Sequence, residues 1–132
     1  MKLPSNKILE ITYTGSMDHR EAQERCVMWL KEHGVTYFEE QTWQIGWYED
    51  RDGKFRCQPD FISDEYYMDA KTGRETDFYN ELDKAQKYML LAEQHNKRLV
   101  YIFRRAPEEG HWWEYIVDML EERLGEKLIL EY

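Results

Sequence analysis

The sequence predicts a single α/β domain in which helices flank a central β-sheet. Three segments carry apolar residues at helical spacing, and short runs rich in β-branched and aromatic residues lie between them. Residues 99–103, which follow the longest helical segment, are continuously apolar, as expected for a strand that is buried on both faces. A chain of 132 residues is long enough to bury one substantial core, so we expect a single domain and no second one.

The first part of the chain predicts a strand and then a helix. Residues 8–13 form a short β-prone run between turn-forming residues, which indicates a strand. Apolar residues then recur at helical spacing, which predicts a helix over residues 18–33. Ser16 or Asp18 can cap its first turn, and Gly34 suits its end.

The middle of the chain predicts β-structure. Residues 35–47 are rich in β-branched and aromatic residues, and residues 50–53 have turn chemistry, so a hairpin is expected to lead into the strand around Pro59. A tight turn over residues 63–65 then leads into a further strand over residues 66–70.

The rest of the chain predicts a helix, a strand and a helix. The long helix covers about residues 76–96, and the buried strand follows at residues 99–103. A closing helix covers residues 112–124, with Gly125 just beyond its end.

The charge of the chain disfavours nonspecific binding to a polyanion. Eighteen Lys and Arg residues face 27 Asp and Glu residues, which gives a formal net charge of -9. A local basic strip can still contact phosphates, and the acidic remainder can face a basic partner.

The two cysteines and the absence of long apolar runs bear on metal binding and on where in the cell the protein acts. Cys26 and Cys57 lack the spacing of a zinc site, so we expect two reduced, partly buried thiols. The chain begins without the apolar core of a signal peptide, and no stretch approaches the roughly 20 apolar residues of a membrane span. We therefore expect a cytoplasmic protein that does not contact a membrane.

Two carboxylates and a lysine in the middle of the chain suggest a catalytic site. Asp60 follows Pro59, and Asp69 and Lys71 are two residues apart in the next predicted strand, so their side chains share one face. Magnesium prefers carboxylate oxygens and keeps several waters, one of which can attack a phosphate while a lysine holds or deprotonates it. This set of residues suits phosphodiester hydrolysis.

Pro59-Asp60 and Asp69-Ala70-Lys71, with eight residues between the two aspartates, resemble the motif of the PD-(D/E)xK nuclease superfamily. The resemblance covers residues 18–124. It implies the restriction-endonuclease-like fold: an α-β-β-β-α-β core with a mixed central sheet flanked by helices, followed here by a C-terminal helix.

The resemblance also implies roles for individual residues. Asp60, Asp69 and the backbone carbonyl of Ala70 would ligate Mg²⁺, or alternatively Mn²⁺, and Lys71 would orient or activate the attacking water. Many members have a glutamate on the first helix that reaches the metal. Glu24 is the best match here, and Glu21 is the alternative.

Basic residues near the motif are candidates for nucleic-acid contacts. Lys84 and Lys87 share a face of the long helix, and Arg74 lies in the loop before it. Gln86 and Tyr88 resemble a glutamine and a tyrosine that several branches of the superfamily place near the active site, although their spacing differs. Solvation of an outer helix face is the alternative role for the lysine pair.

The predicted function is that of a metal-dependent endonuclease, with DNA favoured over RNA. The compact core is similar to the nuclease domains of bacterial polymorphic and contact-dependent toxins, and a phage or repair nuclease would look the same. A toxin would imply an immunity protein as a partner, and superfamily members often cut as homodimers. The alternative is a non-catalytic acidic binding module on the same scaffold.

Overall fold

A computed structural model describes residues 16–48 and 53–132 of the chain. The strand predicted at residues 8–13 and most of the turn predicted at residues 50–53 lie outside the described residues. The elements, in chain order, are α1 (Met17–Glu32), β1 (Glu39–Glu40), β2 (Gln44–Trp47), β3 (Lys54–Cys57), β4 (Phe61–Ile62), β5 (Tyr66–Lys71), α2 (Phe78–His95), β6 (Arg98–Phe103), α3 (Trp113–Leu124), a 3₁₀ turn (Gly125–Lys127) and β7 (Leu128–Glu131).

Five strands form the main sheet in the order β1-β4-β5-β6-β7. The pairs β1–β4 and β4–β5 are antiparallel, whereas β5–β6 and β6–β7 are parallel, so the sheet is mixed, as predicted. Helix α2 makes the crossover between the parallel strands β5 and β6. The described residues therefore confirm an α/β architecture.

The number of strands differs from the prediction in three places. The segment expected to be one strand at residues 35–47 contains two short strands, because Gln41 between them has a φ of 49°, which extended structure does not accommodate. The single strand expected around Pro59 is also two strands, β3 and β4, and Pro59 lies between them. The third difference is β7, which pairs in parallel with β6 and extends the sheet beyond residue 124. The α-β-β-β-α-β order thus becomes one helix, five strands, a helix, a strand, a helix and a final strand.

The ends of the two longer helices follow their local chemistry. The Ser16 hydroxyl caps α1 by accepting a hydrogen bond from the His19 amide at 3.2 Å. Helix α2 begins after Asp77, whose side chain accepts from the Asn80 amide, and it ends at Asn96 in the left-handed conformation. None of the described helices is both long enough and apolar enough to span a membrane.

Two hydrophobic cores lie on opposite faces of the sheet. The first, under α1, includes Cys26, Met68 and Val100. The second, under α2 and α3, is larger and includes Cys57 and Trp113. Both cysteines are free thiols, as predicted, and they are buried where partial burial was expected.

Strands β2 and β3 form a separate antiparallel hairpin that packs on α2. A Cβ atom at Gly46 would lie only 2.1 Å from the Phe55 ring, so glycine is required for Phe55 to pack beneath the hairpin. The amide side chain of Gln94 on α2 donates to the Trp47 carbonyl at 2.7 Å and accepts from the Trp47 N–H at 3.3 Å. These contacts fix the hairpin on the helix.

Candidate active site

A cleft of about 490 Å³ opens where the start of α1, the start of β4, the end of β5 and the first half of α2 meet. It is polar and carries charges of both signs. Its lining residues include His19, Trp43, Arg56, Asp60, Asp69, Ala70, Lys71, Glu75, Glu81, Lys84, Lys87 and Tyr88. The cleft therefore contains the Asp60, Asp69 and Lys71 set that the sequence singled out.

The two aspartates are joined through the backbone of the adjacent strands. The Ala70 N–H donates to Asp60 Oδ2 at 2.7 Å, and the Asp60 N–H donates to Asp69 Oδ1 at 3.3 Å. This reciprocal arrangement arises because β4 runs antiparallel to β5, which brings the start of β4 beside the end of β5. The two carboxylates are thereby held next to each other.

Lys71 lies between two buried carboxylates. Its Nζ is 2.6 Å from Asp69 Oδ2 and 2.5 Å from Glu81 Oε1, and the side chains of all three residues are at most 6% exposed. The ammonium also lies 5.4 Å from the centre of the Tyr101 ring. The Lys71 charge is thus paired on two sides and has little freedom to move.

The ionisation of the site follows from burial and crowding. Burial raises the pKa of Asp69 to about 7; the neighbouring Asp60 adds to this shift, while Lys71 opposes it. Burial also opposes ionisation of Asp60, but hydrogen bonds with His19, with Asp69 and with the Ala70 amide outweigh it, so the Asp60 pKa is lowered. For Lys71, burial favours the neutral amine, yet the carboxylates around it raise its pKa well above the usual value.

His19 reaches the cleft from the first turn of α1. Its Nε2 lies 3.7 Å from Asp60 Oδ1, and the interaction with Asp60 raises the pKa of His19 against the opposing effect of burial. Sequence reasoning missed this residue. The available signal was the buried stripe of α1, because His19 lies three residues before Ala22 and seven before Cys26, on the same helix face.

Glu24 is not brought to the site, which corrects its assignment as a catalytic and metal-binding residue. Its side chain is half exposed and lies 3.6 Å from Arg20 on the outer surface of α1. The alternative, Glu21, also points away, and its carboxylate accepts from Arg104 at 2.5 Å. Both positions fall outside the helix face that contains His19, because residues two or five apart do not share a face.

The candidate nucleic-acid residues divide into two groups. Lys84 and Lys87 line the cleft, where each pairs with an acidic neighbour on α2, Glu81 at 3.4 Å and Asp83 at 2.8 Å. Arg74 and Gln86 are exposed and do not line the cleft. The structure therefore does not bring Arg74 or Gln86 to the site.

Helix α2 supplies two further buried groups that face the motif. Glu81 contacts Lys71, and the Tyr88 hydroxyl donates to Asp69 Oδ1 at 3.4 Å and to the Gln58 carbonyl at 3.2 Å. Tyr88 had been singled out only by analogy, and Glu81 was missed. The signal for both was their seven-residue separation, which places them on one face of the helix.

Glu75 has a structural task at the edge of the cleft. It accepts hydrogen bonds from the Thr72 and Gly73 amides at 2.7 and 3.0 Å and from Trp113 Nε1 at 3.1 Å. Burial opposes its ionisation, but the hydrogen bond from the Thr72 amide and other favourable contacts lower its pKa. The loop that follows Lys71 is thereby tied to α3.

The oxygen atoms available in the cleft are of the kind that Mg²⁺ prefers as ligands. Mg²⁺ is usually bound by one or two carboxylates, with waters and substrate phosphates completing its shell. Asp60, Asp69 and the carbonyl of Ala70 supply such oxygens, and a dication would relieve the crowding of the two carboxylates. Within residues 16–48 and 53–132, no group of three or more His, Cys, Asp or Glu side chains is arranged to hold a metal ion.

The chain matches no family model, no curated protein and no solved structure.

Proposed function

We propose that the protein is a metal-dependent nuclease that hydrolyses phosphodiester bonds, with DNA favoured over RNA. One observation carries the proposal: Asp60 and Asp69 lie side by side in an open cleft, with the Lys71 ammonium 2.6 Å from Asp69. These are the residues whose order and spacing resemble the PD-(D/E)xK motif. A purely structural ion pair does not require a second aspartate beside it in the wall of a cleft.

Asp60, Asp69 and the Ala70 carbonyl would hold Mg²⁺, which supplies charge stabilisation at the phosphate and lowers the pKa of a bound water. The protein groups around it have separate tasks. Lys71 would orient the attacking water through its ammonium, and Glu81 would hold Lys71 in place through the 2.5 Å contact. Attack of the water oxygen on phosphorus forms one P–O bond and breaks another. The attacking water gives up one proton to solvent, and the leaving oxygen takes a proton from solvent or from a cationic side chain.

The rival function is a non-catalytic acidic binding module. It is favoured by the formal net charge of -9 and by the direct Lys71–Asp69 ion pair, which a metal ion would have to accommodate. The two proposals differ in their dependence on Mg²⁺. A nuclease needs the cation for turnover, whereas a binding module retains its partner without it.

The test is cleavage of supercoiled plasmid, single-stranded DNA and total RNA by the purified protein with and without Mg²⁺. The key variants are Asp60→Asn and Asp69→Asn, which keep side-chain shape and remove charge. Asp118→Asn on the exposed face of α3 is the matched control. We expect cleavage that requires Mg²⁺, that falls at least about a hundredfold in both cleft variants, and that is unchanged in the control.

Two outcomes would contradict the nuclease proposal. If the folded protein cleaves none of the three substrates, the binding module is the better account. If Asp69→Asn cleaves as fast as the unchanged protein, the activity does not come from this cleft.

A further inference from the structure

The β2–β3 hairpin presents a face of unusual composition beside the candidate active site. Three large apolar side chains alternate along β2 and the residue before it, and all are more than half exposed: Trp43 at 60%, Ile45 at 51% and Trp47 at 54%. Apolar side chains of this size are normally buried in one-sided antiparallel sheets, so their exposure needs a reason. The underside of the hairpin, through Phe55 and Cys57, is already packed on the core.

Two cations share this exposed face. Arg56 lies directly opposite Ile45, and Lys54 lies directly opposite Trp47 in the pairing register. The Lys54 ammonium is 5.1 Å from the centre of the Trp47 ring. Across residues 43–48 and 53–58 the sequence has these two cations and no Asp or Glu, in a chain whose formal net charge is -9.

The face is continuous with the candidate active site. Trp43 and Arg56 both line the cleft that contains Asp60, Asp69 and Lys71, and Lys87 lines the same cleft. The hydrogen bonds between Gln94 and Trp47, together with the packing of Phe55 into the core, fix the hairpin on α2, so the surface is held in one orientation relative to the cleft. A strand lying on the hairpin would therefore lead into the site.

We propose that this face of the hairpin, made of Trp43, Ile45, Trp47, Lys54 and Arg56, binds an unpaired segment of the nucleic-acid strand that the cleft cleaves. The bases would stack on the two tryptophans, and the phosphates would contact the two cations. The inference rests on the proposed nuclease function of the cleft, and it adds that the bound part of the substrate strand is unpaired. Residues 49–52, which lie between the two strands in the sequence, lie outside the described residues, and the proposed surface is defined without them.

The chemistry favours an unpaired strand over a duplex. Reading base edges in a groove requires side chains that donate and accept hydrogen bonds, such as Asn, Gln and Arg, whereas indole rings stack on bases whose faces are free. Trp43 and Trp47 are four residues apart on one face of the hairpin, which corresponds to about 13 Å along a strand and is roughly four times the 3.4 Å spacing of bases along a duplex strand. Two bases that stack on these rings are therefore not stacked on each other as they would be in a duplex.

The test measures binding in EDTA, so that it does not depend on cleavage. A fluorescein-labelled single-stranded 20-mer and the matching blunt duplex are titrated with the full chain, followed by anisotropy. The variants are Trp43→Ala, Trp47→Ala and Trp43→Phe, with Tyr79→Ala as the control. Tyr79 is 80% exposed on α2 and lies outside both the hairpin and the cleft.

We expect the single strand to bind more tightly than the duplex. Each Trp→Ala change should weaken single-strand binding by about 5- to 150-fold, Trp43→Phe should retain most of the affinity, and Tyr79→Ala should have no effect. Arg56→Gln and Lys54→Gln should each reduce the slope of log affinity against log salt by about 0.7, which loss of packing alone would not do. Thermal melting of each variant confirms that it is folded.

Three results would overturn the proposal: affinity that is unchanged in both Trp→Ala variants, duplex binding as tight as single-strand binding, or no binding of either nucleic acid. The outcome is separable from that of the proposed nuclease. Trp-dependent binding without Mg²⁺-dependent cleavage supports the surface and rejects the nuclease. Cleavage that depends on Asp69, together with binding that does not depend on the tryptophans, supports the nuclease and rejects the surface.

Discussion

The two faces of strand β5 differ in what they bury. Met68 and Ala70 point toward α1 into the first hydrophobic core, and their partners on β6 are Val100 and Ile102. Asp69 and Lys71, on the same strand, point to the opposite face and are equally buried, at 4% and 2% exposed. Six consecutive buried residues therefore serve two different environments.

The apolar and charged faces of β5 are expected to differ in how much they stabilise the fold. Removing a buried methionine from water is favourable, whereas a buried ion pair often contributes no more stability than apolar groups of the same volume. The apolar face thus holds the sheet to α1. We expect the charged face to stabilise the fold less than an apolar one would, which is the pattern expected where a site needs those charges for function.

The largest effect is expected at Lys71, since it neutralises two buried carboxylates. Lys71→Met keeps most of the side-chain volume, removes the cation beside Asp69 and leaves Glu81 with only Lys84, at 3.4 Å. We expect the free energy of unfolding to fall by about 3–5 kcal/mol and Mg²⁺-dependent cleavage to be lost. Urea denaturation and the plasmid assay measure the two effects.

A variant in which Asp69, Lys71 and Glu81 are all replaced by neutral residues tests whether the buried charges stabilise the fold. The triple variant Asp69→Asn, Lys71→Met, Glu81→Gln removes all three charges together, so we expect it to recover most of the lost stability while remaining inactive. A triple variant no more stable than Lys71→Met would mean that the charges do stabilise the fold, and the contrast between the two faces would disappear.

Met68→Ala tests the apolar face. Because Met68 is fully buried, the truncation should leave a cavity and lower the free energy of unfolding by about 2–5 kcal/mol. Cleavage per folded molecule should be unchanged at a temperature where the variant is folded. A selective loss of cleavage at full stability would show that the α1 face also serves the site.

Mg²⁺ should stabilise the folded protein by binding at the charged face of β5, and the apolar face should not affect this stabilisation. At a concentration 100 times its dissociation constant, Mg²⁺ should raise the free energy of unfolding by about 2.7 kcal/mol. The increase should be the same in Met68→Ala and absent in Asp69→Asn. An equal increase in Asp69→Asn would point to general screening of the acidic surface instead of a site.

Glu24→Gln should have the smallest effect. The side chain is exposed and its only described pairing is with Arg20, so the free energy of unfolding should change by less than about 0.5 kcal/mol. Cleavage should be unchanged. A loss of more than tenfold would return Glu24 to the list of candidate metal ligands and contradict its position in the structure.

Local patterns predicted the helices, the buried strand and the central motif well. The helical spacing of apolar residues located α1 and α2 to within two residues, and Ser16 and Gly34 gave end signals for α1. The period of two along β5 placed Asp69 and Lys71 on one face, and the structure confirms that they are in contact. These features depend on residues that are close in sequence.

The features that were missed depend on contacts between distant segments. His19 and Asp60 meet because α1 packs on the sheet, and the distance from Lys71 to Glu81 depends on how α2 crosses it. Strand β7 escaped prediction because its four residues form a strand only by pairing with β6. The choice between Glu21 and Glu24, and the omission of His19, depended on the rotation of α1 about its axis. The buried stripe of the helix resolves that rotation only when it is extended to the first turn.

Each core contains one unreactive thiol, and this makes the two halves of the molecule separately observable. Cys26 lies under α1 and Cys57 under α2, and burial raises the pKa of Cys26 well above its usual value and that of Cys57 to about 12. Neither can react with an alkylating reagent until its own layer opens. The ratio of the two labelling rates, read by peptide mass, would therefore report whether the halves open together or one at a time, without any engineered probe.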